Sequence, residues 1–153
     1  MTRYAEKTTV SSEKSRAEIE TVLKRYGASA FMYAWDGPRV VIGFRASDRH
    51  IRFILPLPDR RERRFTHSSR GVRSQKIADD AWEQACRASW RALVLVIKAK
   101  LEAVAAKITT FEDEFLAHTV LPDGSTFGQW ARPQLDAVYK SGDMPRMIEG
   151  PRQ

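Results

Sequence analysis

Seven arginines and lysines crowd into one stretch, LPLPDRRERRFTHSSRGVRSQK (residues 55–76), against two carboxylates, Asp59 and Glu62. Arg60, Arg61, Arg63, Arg64, Arg70, Arg73 and Lys76 fall within it. Arginine predominates, and its planar fork suits bidentate contact with phosphate. Gly71 and the Ser68–Ser69 pair give the segment freedom to wrap a ligand. Cations elsewhere extend the pattern. Arg45, His50 and Arg52 follow closely spaced turn signals, and Tyr33 or Trp35 is a candidate stacking platform beside them. Arg87, Arg91 and Lys98 recur at helical spacing and form a candidate ridge for a phosphate backbone. Glu83 and Glu102, each four residues from one of these cations, are their candidate ion-pair partners.

Other chemistry finds little support in the pattern. Glu114 and His118 stand four apart, the spacing of a metal pair, but His50 and His67 are remote in sequence. Asp79, Asp80 and Glu83 are explained by the positive end of a helix dipole. No Ser-His-Asp order, P-loop or dinucleotide glycine pattern occurs. No catalytic residue, metal or cofactor is therefore expected. Cys86, the single cysteine, excludes an internal disulfide and reads as a buried apolar residue in a reducing, cytoplasmic setting.

The elements that must position these groups read as α+β. Helix signals run from Ser11 or Ser12 to Gly27, with Ala17, Ile19, Val22, Leu23 and Tyr26 as the expected buried stripe. Three strands follow, ASAFMYAW, RVVIGFR and RHIRFILPL, joined by the turns DGP and ASD, which makes a three-stranded antiparallel meander. Alternation groups Phe31, Tyr33 and Trp35 on one face, most simply a core-facing row. It sets Ile51, Phe53 and Leu55 against His50, Arg52 and Ile54 in the third strand. The basic stretch then reads as a loop, and residues 77–108 as one long helix central to the core. A helix start at Thr109 or Thr110, a Pro-Asp-Gly turn and a closing helix stopped by Gly142 complete the chain. The expected organisation is a polar lead-in (1–10), one α-β-β-β-α domain with short C-terminal helices (11–145) and a loose tail (146–153).

Lysine plus arginine number 26 and aspartate plus glutamate 19, a net charge of +7 on 153 residues. That balance favours polyanionic partners. The N-terminus lacks the apolar core of a secretory signal, and the longest apolar run, Ala92 to Ile97, is far short of a membrane span.

Three blocks, EKSRAEIETVLKRYGA, IRFILPLPD, and WRALVLVIKAKLEAV followed by FEDEFLAHTVLPDGSTFGQW, resemble a group of small phage and prophage proteins. The likeness covers most of residues 8–145 and implies a bacterial cytoplasm, with no catalytic residues carried over. The α-β-β-β-α order is also similar to that of double-stranded-RNA-binding domains. Where those domains carry a lysine-rich signature, this chain reads SQKIADDAWEQ.

The functional expectation is a non-enzymatic nucleic-acid-binding protein, DNA before RNA, an accessory in phage recombination or replication. The alternative is a protein-interaction module that binds a host or defence protein through surfaces near Trp130, Tyr139, Met144 and Met147. A membrane partner is not expected; a homo-oligomer, with the long helix pairing across it, is compatible with the pattern.

Overall fold

A computed structural model describes residues 4–144. The order is α1 (Ser12–Arg25), β1 (Ala30–Asp36), β2 (Arg39–Ala46), β3 (Arg49–Pro56), α2 (Arg63–Thr66), β4 (His67–Ser68), β5 (Gly71–Val72), α3 (Gln75–Ala105), α4 (Phe111–Glu114), a 3-10 turn (Leu116–His118) and α5 (Phe127–Ser141). This is the α+β class read from the sequence.

Local chemistry accounts for the boundaries. Ser11 caps α1 by accepting from the Lys14 N–H, and Gly27 ends it at φ +88°. Ser74 caps α3 in the same way through the Ile77 N–H. Between β2 and β3 the two central residues, Ser47 and Asp48, both take positive φ, as a type I′ hairpin requires.

The strands form one antiparallel sheet in the order β1-β2-β3. Register aligns Phe31 with Phe44, Tyr33 with Ile42 and Trp35 with Val40, and then Phe44, Ile42 and Val40 with Ile51, Phe53 and Leu55. This inner face carries the buried residues Val40, Ile42, Phe44, Ile51, Phe53 and Leu55. They pack into one cluster with Ile19, Val22 and Leu23 of α1 and Trp90, Leu93, Val94, Ile97 and Leu101 of α3. The buried stripe of α1 is Ser15, Ile19, Val22 and Leu23; Ala17 and Tyr26, expected in it, are exposed. A helix face turns about 100° per residue, so Ser15 and not Ala17 shares the stripe of Ile19.

Phe115 closes the far end of the core. It is wholly buried, edge-on to Phe44 and Phe53 at 5.8 and 6.3 Å, with Phe111 tilted against it at 4.7 Å. Residues 119–126 run beside β3: Thr119 bridges to Ile51, and the Val120 N–H donates to the His50 carbonyl. The lead-in is not detached. Ala5 is buried, and the Gln84 side-chain amide of α3 donates to the carbonyls of Glu6 and Thr8.

Candidate functional site

The basic stretch is folded onto α3 as a small substructure. Phe65 anchors it in the interior, and the Trp82 indole donates to the Pro58 carbonyl at 2.7 Å. Residues 63–72, expected as open loop, form the turn of α2 and the β4–β5 hairpin. No strong periodic signal marks pieces this short, and the composition is that of a loop.

Within it, most of the charge is answered locally. Arg60 lies 3.9 Å over the Trp82 ring and pairs with Asp79. Arg61 pairs with Asp59, Arg64 with Glu62, and Lys76 with Asp80. The hydrogen bond from Arg61 holds the Asp59 carboxyl below its ordinary range. Arg73 donates to the Phe65 carbonyl. Arg63 and Arg70 alone among the seven have side chains with no partner among the described residues.

The remaining candidate cations lie elsewhere. Arg45 and Arg52 project from the outer face of the sheet, opposite the inner row of Phe31, Tyr33 and Trp35. The aromatics and cations therefore do not interleave on one surface. Trp35 is 80% exposed although it shares the inner face; it stands near the end of β1, an edge strand. Tyr33 instead carries the Arg16 guanidinium at 4.4 Å. Arg45 contacts His50 at the strand end remote from Pro56, where the basic substructure begins, about 20 Å along β3. Arg52 reaches the Gln129 side-chain carbonyl.

Arg87 and Arg91 sit on the other side of the sheet, on α3. Arg87 donates to Gln84, not to Glu83 as its spacing suggests. Arg91 and Lys98 both bind Glu18 of α1 at 2.5 Å, and Glu102 is not the partner of Lys98. The expected ridge is a helix–helix seam. The eleven candidate residues thus stand in three places: Arg45 and Arg52 on the outer sheet face, seven in the basic substructure, and Arg87 and Arg91 further along α3, the helix onto which that substructure folds.

The metal-spaced pair also separates. The helix breaks after Glu114, which binds Lys100, while His118 stacks on Phe53 at 4.0 Å. Burial and the nearby Lys100 push the His118 pKa down, against a hydrogen bond to the Arg52 backbone. Among the described residues no group of three His, Cys, Asp or Glu is placed to hold a metal. Cys86 is buried, and burial pushes its thiol up to about 11. No described helix is long and apolar enough to cross a membrane.

What sequence reasoning undervalued is α5. Its ends are well specified: Thr126 and Gln129 form a reciprocal capping box, and Gly142 closes it at φ +76°. Its apolar residues, Phe127, Trp130, Ala131, Leu135 and Val138, recur at helical spacing. Yet α5 buries no residue: Trp130 is 52%, Leu135 55% and Tyr139 87% exposed. Near its start it meets the rest of the fold, where Gly128 lies against the Ala117 carbonyl and Gln129 against Arg52, and Phe127, Ala131 and Val138 are partly covered. Of the aromatic and methionine surface noted in the sequence, Trp130, Tyr139 and Met144 are exposed, and Met147 lies outside the described residues.

Compared with known proteins, the chain matches no family model, no curated sequence and no solved structure.

Proposed function

We propose that this chain is a non-catalytic protein-interaction module whose presented element is α5. One observation carries the reading: Phe127–Ser141 has complete helix-end signals and an apolar stripe, yet no residue of that stripe is fully buried, and Trp130 and Leu135 are more than half exposed. A helix of this length is marginal in water by itself and gains most of its stability by burying such a stripe. Tryptophan and tyrosine are common interface anchors, and Trp130 and Tyr139 are both presented. The resemblance of its sequence blocks to phage proteins would add a bacterial host or defence protein to the expected partners.

The test is capture with a tagged full chain in bacterial lysate, with cross-linking and quantitative mass spectrometry that also scores untagged copies of the chain. Replacing Trp130 and Leu135 together by alanine is expected to reduce capture at least about tenfold, with an unchanged circular dichroism spectrum of the core. Undiminished capture by this variant removes α5 from the role.

A second reading, nucleic-acid binding by the basic substructure, is supported by Arg63 and Arg70, whose side chains make no ion pair among the described residues. With most other loop cations paired, contact with two or three phosphates is expected. The slope of log affinity against log salt on duplex DNA would then be about −2 to −3, rather than the roughly −6 of seven engaged cations. Arg63→Ala with Arg70→Ala would abolish a gel shift at low salt. Absence of any shift by the unaltered chain at low salt ends this reading.

A further inference from the structure

We propose that the partner of α5 is a second copy of this chain, joined by a reciprocal contact in which α5 of each copy lies along the outer sheet face of the other. This rests on the interaction reading of α5 and specifies its partner.

Among the described residues, two apolar surfaces of similar size lie uncovered. One is α5. The other is the outer face of the sheet, where Met32 is 67% exposed and Ile54 is also exposed. A groove of about 240 Å³ crosses this face between Met32, Ala34, Val41, Gly43, His50 and Arg52. The missing side chain at Gly43 deepens it; the groove there is occupied only by Met32, 3.3 Å from where a Cβ would stand. Arg52 lines the groove, and its guanidinium donates there to the Gln129 side-chain carbonyl.

The two surfaces match in size. Fifteen helical residues span about 22 Å, and strands of seven or eight residues span roughly 23–27 Å. Three strands are about 10 Å from first to last, the diameter of a helix with its side chains. Helix-on-sheet pairing repeated by a two-fold axis covers both surfaces at once and closes without leaving either end open. A foreign partner seated on α5 alone would leave the groove uncovered.

The area agrees. A compact monomer of 17.5 kDa exposes about 7,900 Å², whereas this chain exposes 11334 Å². Granting residues outside 4–144 the most surface that a chain of their length can expose, about 2,000 Å², still leaves roughly 1,400 Å² above the compact expectation. Obligate homodimers remove on the order of 1,000–2,500 Å² from each subunit.

Sedimentation velocity of the full chain is expected to give twice the chain mass. Met32→Glu on the sheet and Leu135→Glu on the helix each place a charge at an exposed position, so the monomer fold should survive, as thermal melts will check. Each should weaken the dimer at least about a hundredfold, because each occurs twice in a symmetric contact. Geometry is read with a short bismaleimide. Met32→Cys mixed with Leu135→Cys should cross-link, and neither variant should cross-link to itself. Cys86, buried with a raised thiol pKa, does not compete. Self-cross-linking of Leu135→Cys, a dimer indifferent to Met32→Glu, or a monomeric unaltered chain each overturns the proposal. A monomeric chain that still captures a bacterial protein through Trp130 and Leu135 overturns the second copy alone and leaves the interaction reading standing. Loss of both the dimer and α5-dependent capture removes both.

Discussion

Glu18 binds two cations of a neighbouring helix, Arg91 and Lys98, and so fastens α1 to α3. The Lys98 hydrogen bond, with Arg91 adding to it against the effect of burial, holds the Glu18 pKa below its ordinary value. The group is partly solvated, so Glu18→Gln should cost only about 1 kcal/mol in urea denaturation at neutral pH. A carboxyl with a lowered folded pKa stabilises above its unfolded value and loses that contribution as pH falls through the folded one. The variant should therefore lose stability less steeply than the native chain on the acid side of about pH 4.3. His118 works in a higher window. Its pKa is lowered by burial and by Lys100, so the unfolded chain takes up the proton first and stability declines as pH drops below about 6.5. His118→Phe keeps the ring stack on Phe53 and removes the titration, and melting curves from pH 8 to about pH 5 should show a shallower decline. Phe115→Ala removes a wholly buried ring from among Phe44, Phe53 and Phe111, and should cost about 3–5 kcal/mol by the same denaturation assay.

At the scale of elements, α3 and α5 present opposite cases. Both are capped by local side chains, and both carry apolar residues at helical spacing. The first is the spine of the core, while the second buries nothing. The stability of α5 in the free chain thus depends heavily on its ends. Thr126→Ala removes an acceptor for the Gln129 N–H and should cost about 1 kcal/mol. The loss should appear as faster amide exchange within 127–141, with the melting of the α1–sheet–α3 core unchanged. An equal loss of protection throughout the molecule would show that α5 is coupled to the core despite its exposure.

Across the whole molecule, the net charge of +7 is carried by cations in several parts of the fold. Cations occur on the outer sheet face, in the basic substructure and along the α1–α3 seam, and many are paired with acids. Two copies carrying like net charge repel one another, and salt screens that repulsion. Self-association through the apolar faces should therefore hold or tighten as salt is raised, measured by sedimentation equilibrium. Weakening with salt would instead point to an interface built from ion pairs. The sign is opposite to that expected for polyanion binding by the same chain.

The sequence by itself determined the longer elements, though not α2 or the β4–β5 hairpin, because the signals of the longer ones are local: the Ser11 cap, the Ser47–Asp48 turn, the period-two alternation of β3 and the uninterrupted run of α3 all act within a few residues. Alternation likewise separates Phe53 from Arg52 before any packing is known. The partners of the charges were decided only by tertiary structure. Glu18 and Arg91 are 73 residues apart, yet they meet, while the nearer Glu83 does not bind Arg87. The stripe of α5 shows the same limit. Periodicity marks a face that is ready to be buried, but whether the chain itself buries it depends on where the helix is attached, and here Trp130 and Leu135 stay more than half exposed although Gly128 and Gln129 meet the fold beside them.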